Sequence, residues 1–433
     1  MTLSRTLRHE FRALRHYNYR LFWVGQLVSI IGTWMQATGQ AWLVLKITGS
    51  ALALGTVTML QFLPVMFLAL IGGVVADKVP RRRDLIMVTQ TVAMIQALVL
   101  ATLTATDQVE LWHLYLLAAV LGMVTAFDTP ARQAFVAEMV GKDDLMNAVA
   151  LNSTLFNMAR IAGPALGGLT IATIGTAGTF YLNAVSFLGV LLSLVMMRPE
   201  LFHAYARAAA GSALSHLGEG LRYVFRTPAV LLVVALVAAV GTFGINNTVV
   251  VPLIAEDILG AGPVGFGGLM SFLGFGSLLA ALAIAFTVRP TRRMLLIGAG
   301  ALSLALFAVA LSRSFPLTAA ILVALGVATI LFAATANTTL QLTVPDELRG
   351  RVMSIYTLVF LGSTPIGSLY VGGVAHVLSA EAAIASAGAI CGAATLAALA
   401  YTIRQGRAAA AVAAEGKVAT AAAGESSGAS GDG

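Results

Sequence analysis

Twelve runs of apolar residues follow one another along the chain, separated by short polar stretches. They occupy 21–45, 51–76, 85–103, 111–127, 145–174, 179–197, 229–254, 266–288, 294–311, 317–335, 353–378 and 382–403. About 20 apolar residues in a helix, rising about 1.5 Å per residue, cross the roughly 30 Å hydrocarbon core of a bilayer. Inside that core the backbone finds no water to bond, so a spanning segment must satisfy its own N–H and C=O groups as a helix. The alternating ten-residue strands of an outer-membrane barrel are not present in this sequence. The pattern predicts an all-α membrane protein with twelve transmembrane helices.

The polar stretches organise these spans. The longest interior one, 198–228, divides them six and six. This predicts an N-terminal segment 1–20, a first half 21–197, a linker 198–228 with an amphipathic piece at 214–225, and a second half 229–403. The Ala/Gly/Ser-rich tail 404–433 is expected to be disordered. The halves echo each other at an offset of about 200 residues. Pro164 and Pro365 fall in corresponding spans, and Arg81–Arg83 after the second span is matched by Arg292 and Arg293 after the eighth. Parallel six-helix halves are the build of a rocking secondary transporter.

Composition adds a surface argument. Apolar residues make up 58% of the chain and charged residues only 10%. A water-facing surface needs about 25% charged residues, so this surface faces lipid. The net charge of +7 does not mark a nucleic-acid binder, because the basic residues sit in loops between apolar runs. With the N-terminus placed in the cytoplasm, every Lys and Arg except Lys46, Arg313 and Arg160 falls on the cytoplasmic side or in the cytoplasmic termini. One missed span would invert every later loop, so this bias supports the topology. The expected location is the cell inner membrane, with both termini cytoplasmic and an uncleaved first span. Cys391 is the single cysteine, which excludes an intrachain disulfide and a Cys metal site. Neither His-Glu-x-x-His nor Gly-x-x-x-x-Gly-Lys occurs. No enzyme, cofactor or metal is expected.

Two motifs stand out. The first, Gly73-Val-Val-Ala-Asp77-Lys78-Val-Pro-Arg81-Arg82-Arg83, resembles the signature between spans two and three of the major facilitator superfamily, with Pro80 where that pattern has Gly. The resemblance implies a cytoplasmic gate of Gly73, Asp77, Arg81 and Asp128. Asp77 would meet the start of span eleven and Arg81 would pair with Asp128, contacts that would hold the outward-open state closed on the cytoplasmic side. The second, Arg160-Ile-Ala-Gly163-Pro164-Ala-Leu-Gly167-Gly168, resembles the fifth-helix signature of the superfamily's antiporters. The runs 127–135, 147–153 and 181–187 are similar to the enterobactin-exporter and drug–proton antiporter-like branch. The resemblance covers roughly 17–403 and implies the major facilitator fold.

Arg160 draws attention on physical grounds, since an arginine at the centre of a span costs at least about 2.5–3.5 kcal/mol on insertion scales. Either it binds an anion or takes part in proton coupling, or it bonds helix carbonyls and snorkels along the span. Gln36, Asn157, Asn246 and Asn247 are further candidates for coupling or substrate binding, set against a plain helix-bonding role. Taken together, these features imply a proton-driven exporter of a siderophore, drug or other amphipathic small molecule. The expected partners are that solute, protons and the lipid bilayer, with no nucleic acid, and the expected state is a monomer. An importer or lipid-handling transporter of the same fold, or a membrane sensor, is the alternative.

Overall fold

The computed structural model describes residues 11–203, 213–287 and 291–428, and every regular element among them is helical. The first four long helices are α1 (Tyr17–Thr48), α2 (Ala51–Lys78), α3 (Arg82–Ala105) and α4 (Leu111–Val140). α5 (Leu145–Val195) carries a break at Gly175, where φ 77° and ψ 172° interrupt the helical backbone. Only glycine adopts such a conformation without strain, so the two runs expected at 145–174 and 179–197 are the two arms of one kinked element. Then come α6 (Ala213–Arg226), α7 (Pro228–Gly244), α8 (Asn247–Leu253), a π-helical turn at Ile254–Ile258, α9 (Gly262–Thr287), α10 (Arg292–Leu311), α11 (Phe315–Thr343), α12 (Asp346–Val377) and α13 (Ala380–Gly428).

Among the described residues, ten helices are long and apolar enough to cross a membrane. That number takes α5 as one helix and leaves out α1, which is 32 residues long. α1 carries Gln26, Gln36 and Gln40, all buried, and these lower its apolar content without facing lipid. The same inside-out logic runs through α3. It exposes Val88, Val92, Ile95 and Val99 along one stripe and buries Thr89, Gln90, Ala93, Gln96 and Ala97. A soluble helix does the reverse.

Two expectations meet a different outcome. The seventh run, read as one helix, is interrupted at Ile245 (φ −114°, ψ 39°) and Asn246 (φ −102°, ψ 45°) between α7 and α8. The tail expected to be disordered continues α13 as helix to Gly428, and alanine, which dominates it, is the strongest helix former. The amphipathic linker piece is α6, which docks on α12 through buried Val224 and an ion pair from Arg351 to Glu219. Residues 1–10, 204–212, 288–290 and 429–433 lie outside the described set.

Helices α1 to α5 pack together, α7 to α13 pack together, and the two groups meet mainly along two seams: α5 with α9, and α2 with α12. Small residues let the backbones touch. A Cβ on Gly168 or Gly267 would overlap the carbonyl oxygen of Pro263 or Pro164, and one on Gly55 would overlap that of Ser368. One on Gly372 would lie 2.6 Å from the Ala51 oxygen. The two seams correspond at the offset of about 200 residues noted in the sequence, with Gly168 answering to Ser368 and Gly267 to Gly55.

Both seams lie between mid-helix and the end opposite the basic loops. There one apolar core runs through both groups, from Leu43, Leu54 and Phe180 to Val251, Phe266 and Leu322. At the basic end the first group has its own separate core, including Tyr19, Phe22, Ile86, Phe135 and Met139. Gly73 and Gly350, one from each group at that end, have open space beside them. The groups are therefore joined toward one end, and their apolar cores are separate at the basic end.

Candidate functional site

Where the seams give out, near mid-helix, a cavity of 210 Å³ lies between the groups. One wall is Trp34 of α1, Phe62 of α2, and Phe156 and Arg160 of α5. The other wall is Ile245, Asn247 and Thr248 at the break between α7 and α8, Met270 and Leu273 of α9, and Thr364 of α12. Trp34 and Phe156 meet edge to face, with centroids 5.9 Å apart. Gly163 sets Trp34 in place, since a Cβ there would overlap the Trp34 Cβ.

The helix-5 signature thus divides its work. Gly163 and Gly167 face α1, where a Gly167 Cβ would lie 3.1 Å from the Met35 Cα. Gly168 and the Pro164 carbonyl face α9 across the seam. Pro164 sits inside the helix and removes one backbone N–H donor. Arg160, one turn before Gly163, enters the cavity. Among the described residues it makes no hydrogen bond or ion pair, and no carboxylate lines the cavity. Ser271 of α9 closes the seam just beyond it, donating to the Ile161 carbonyl at 2.7 Å.

The other singled-out polar residues separate into different roles. Gln36 is buried away from the cavity. It donates to Gln96 Oε1 at 2.9 Å and accepts from Asn183 Nδ2 at 2.7 Å, which ties α1 to α3 and to the second arm of α5. Asn157 donates to the Ser153 carbonyl one turn back at 2.9 Å and does not line the cavity. Asn246 is buried and donates to the Thr242 carbonyl, while its Oδ1 has no partner among the described residues. Asn247 lines the cavity, and its buried Oδ1 is likewise unpartnered. Of the five candidates, only Arg160 and Asn247 reach the cavity. Its apolar and aromatic wall residues were not singled out as site residues in the sequence, because an aromatic residue within a span looks the same whether it faces lipid or a cavity.

The gate at the basic end differs from expectation. Asp128 does not meet Arg81. Its carboxylate accepts from Thr89 Oγ1 at 2.7 Å, Gln90 Nε2 at 3.0 Å and Arg132 Nε at 2.9 Å, with a second bond from Arg132. Arg132 lies one turn along the same helix and also bonds Gln26 of α1. Arg81 is the exposed N-cap of α3. The neighbouring Arg82 is buried instead, bonding the Ala76 carbonyl at 2.9 Å, Asp77 at 3.1 Å and Glu138. Asp77 thus pairs within its own group, and among the described residues it has no hydrogen bond or ion pair to α12.

A second polar cluster went unremarked in the sequence. Asp144, the buried N-cap of α5, is held by His16 and Arg15 at 2.8 Å each, with Arg12 at 3.6 Å. The His16 hydrogen bond, then those of Arg15, keep its carboxyl below the usual range against the opposing effect of burial. Nearby, Ala13 N–H donates to Asn147 Oδ1 at 2.9 Å, and Asn18 exchanges two hydrogen bonds with the Arg198 backbone. Together these clasp the N-terminal segment to the basic end.

A family model described as transmembrane secretion effector matches residues 9–425. The chain belongs to this major facilitator family. It is 30% identical over 344 residues to the multidrug efflux pump Tap of Mycolicibacterium fortuitum, covering 77% of this chain and 83% of that one. The staphyloferrin A transporter of Staphylococcus aureus is 26% identical over 361 residues, covering 81% and 87%. The enterobactin exporter EntS of Escherichia coli O1:K1 is 26% identical over 360 residues, covering 81% and 80%. Among solved structures, a point mutant of the nucleoside transporter NupG superposes with a TM-score of 0.72 at 13% identity, covering 89% of this chain and 99% of that one. A bacterial Spinster homologue crystallised facing inward gives 0.66 at 14% identity, covering 88% and 94%. The two structures bear on the fold alone. These relatives are transporters rather than enzymes, and the chain is a multi-pass membrane protein of the same family.

Proposed function

We propose that the chain is a proton-driven exporter of an amphipathic small molecule, a siderophore or drug, working by alternating access in a bacterial inner membrane. In this reading it crosses the bilayer twelve times as a monomer. α1 supplies one crossing and the two arms of α5 supply two, giving six spans on either side of the linker. The basic loops and both termini lie in the cytoplasm, so the basic end opens inward. Positive loops on that side support the orientation.

The observation that carries the reading is the cavity between the two groups, at the level where both glycine seams end. Rocking about those seams would expose it to one side and then the other. The gate assigned to Gly73, Asp77, Arg81 and Asp128 would then form in the opposite state, with Asp77 leaving Arg82 to meet the start of α12. Arg160 and Asn247 are the polar groups proposed to meet the solute.

Inverted and right-side-out vesicles containing the protein test this, with a fluorescent amphipathic acid and an iron-free siderophore as probes. Accumulation in inverted vesicles that a protonophore abolishes is the expected result. Uptake confined to right-side-out vesicles makes the protein an importer.

A further inference from the structure

Taking the cavity as the solute site, we infer that it selects an anionic solute that also carries a hydrogen-bond donor, a hydroxy-carboxylate or similar acid on an aromatic or apolar body. The acid would sit on the Arg160 guanidinium and the donor on Asn247 Oδ1.

A guanidinium offers five N–H donors in a planar fork that fits carboxylate, phosphate and sulfonate groups, and it keeps its charge. Arg160 faces the cavity from mid-helix with no hydrogen bond or ion pair among the described residues, and no carboxylate on the cavity wall balances it. Other basic residues on the same group of helices are engaged: Arg82 with Asp77 and Glu138, Arg132 with Asp128, Arg15 with Asp144. A structural arginine buried in a bundle is paired in this way. Arg160 stands as a charge kept open for something that enters.

The facing wall asks for the opposite partner. Asn247 sits where the helix is interrupted between α7 and α8, and its buried Oδ1 accepts nothing from the described residues. A buried acceptor without a donor is unfavourable until one is brought to it. Broken helices at mid-span are where transporters place their polar contacts. Trp34, Phe62 and Phe156 supply faces and edges for an aromatic or apolar body. An organic cation would meet Arg160 with no carboxylate to offset the repulsion, so the same wall discriminates against it. Arg160 belongs to the first group of helices and Asn247 to the second, so a solute that satisfies both ties the groups together.

Equilibrium binding to the full-length protein in nanodiscs tests this, using 4-hydroxybenzoate, 3-hydroxybenzoate, benzoate and benzylamine as calorimetric probes. Wild type should bind a hydroxybenzoate more tightly than benzoate, and benzylamine most weakly. Arg160→Gln should lose about tenfold or more for every carboxylate, while Arg160→Lys keeps part of the affinity as a point charge. Asn247→Ala should bring the hydroxybenzoates down to the level of benzoate and leave benzoate unchanged. Thermal unfolding of each variant shows that it is folded. Carboxylate affinity unchanged in a folded Arg160→Gln, or a wild type without preference for carboxylates over benzylamine, overturns the inference. Vesicle transport is read separately: binding as described without transport would leave this inference standing and sink the exporter reading.

Discussion

Replacing Gly267 by alanine puts a methyl group into the α5–α9 seam. Its Cβ would overlap the Pro164 carbonyl oxygen and lie 3.1 Å from both the Cα and the N of Gly168. All three obstacles are backbone atoms, so no side chain can swing away and the helices must separate. Overpacking of this kind costs about 1–3 kcal/mol. The cost applies only while the seam is closed, as it is here, so the substitution favours the state in which the seam is open. An energy of about 1–3 kcal/mol shifts a two-state population by about 5- to 150-fold. The assay is pulsed electron resonance between spin labels at Met146→Cys and Leu342→Cys, both highly exposed and one from each group at the basic end, with the buried Cys391 replaced by serine. In Gly267→Ala the shorter distance should gain population as the basic end closes. Gly55→Ala, at the corresponding place in the other seam, should do the same. A distance distribution identical to that of the parent in a folded, monodisperse sample would falsify the seam argument.

Other outcomes follow from the same contacts. Arg132→Gln leaves the Asp128 carboxylate buried without its cation and should lower stability by about 3 kcal/mol; thermal unfolding in detergent reads this, and adding Asp128→Asn should restore part of the loss. Gln36→Leu strands Gln96 and Asn183 and should destabilise by about 1 kcal/mol, with the KM for transport unchanged; a raised KM would return Gln36 to the solute path. The Asp144 clasp depends on a carboxyl whose folded pKa is depressed. Its contribution is present above the ordinary carboxylate value of about 3.9 and is lost as pH falls through the lower folded value. The protection factor of the Ala13 amide, which corrects exchange for its intrinsic pH dependence, should therefore fall on acidification below about pH 4, and Asp144→Asn should reproduce the effect at neutral pH.

The candidate site was partly legible in the chain. Arg160 stood out because a charge within an apolar run has no cheap explanation, and the glycines after it because their spacing is a packing signature. Gln36 and Asn157 looked equivalent to Asn247 in that reading, since each is a polar residue within a span. The structure separates them: Gln36 meets two amides from other helices, Asn157 folds back on Ser153, and Asn247 Oδ1 finds no partner among the described residues. The Arg81–Asp128 pairing is absent from this state for a related reason. Arg82 and Arg132 were equally basic and equally near in sequence, and only the direction of each side chain decides which carboxylate it reaches.

Lipid imposes its demand locally, one residue and one backbone group at a time. Hydropathy and loop charge therefore carry the helical architecture, the linker and the basic end directly in the order of residues. Which faces of those helices meet depends on residues 95 to 313 positions apart along the chain, such as Gly168 against Pro263 or Gly55 against Ser368. The cavity, its unpaired arginine and the separate core at the basic end exist only once those distant backbones have been brought into contact.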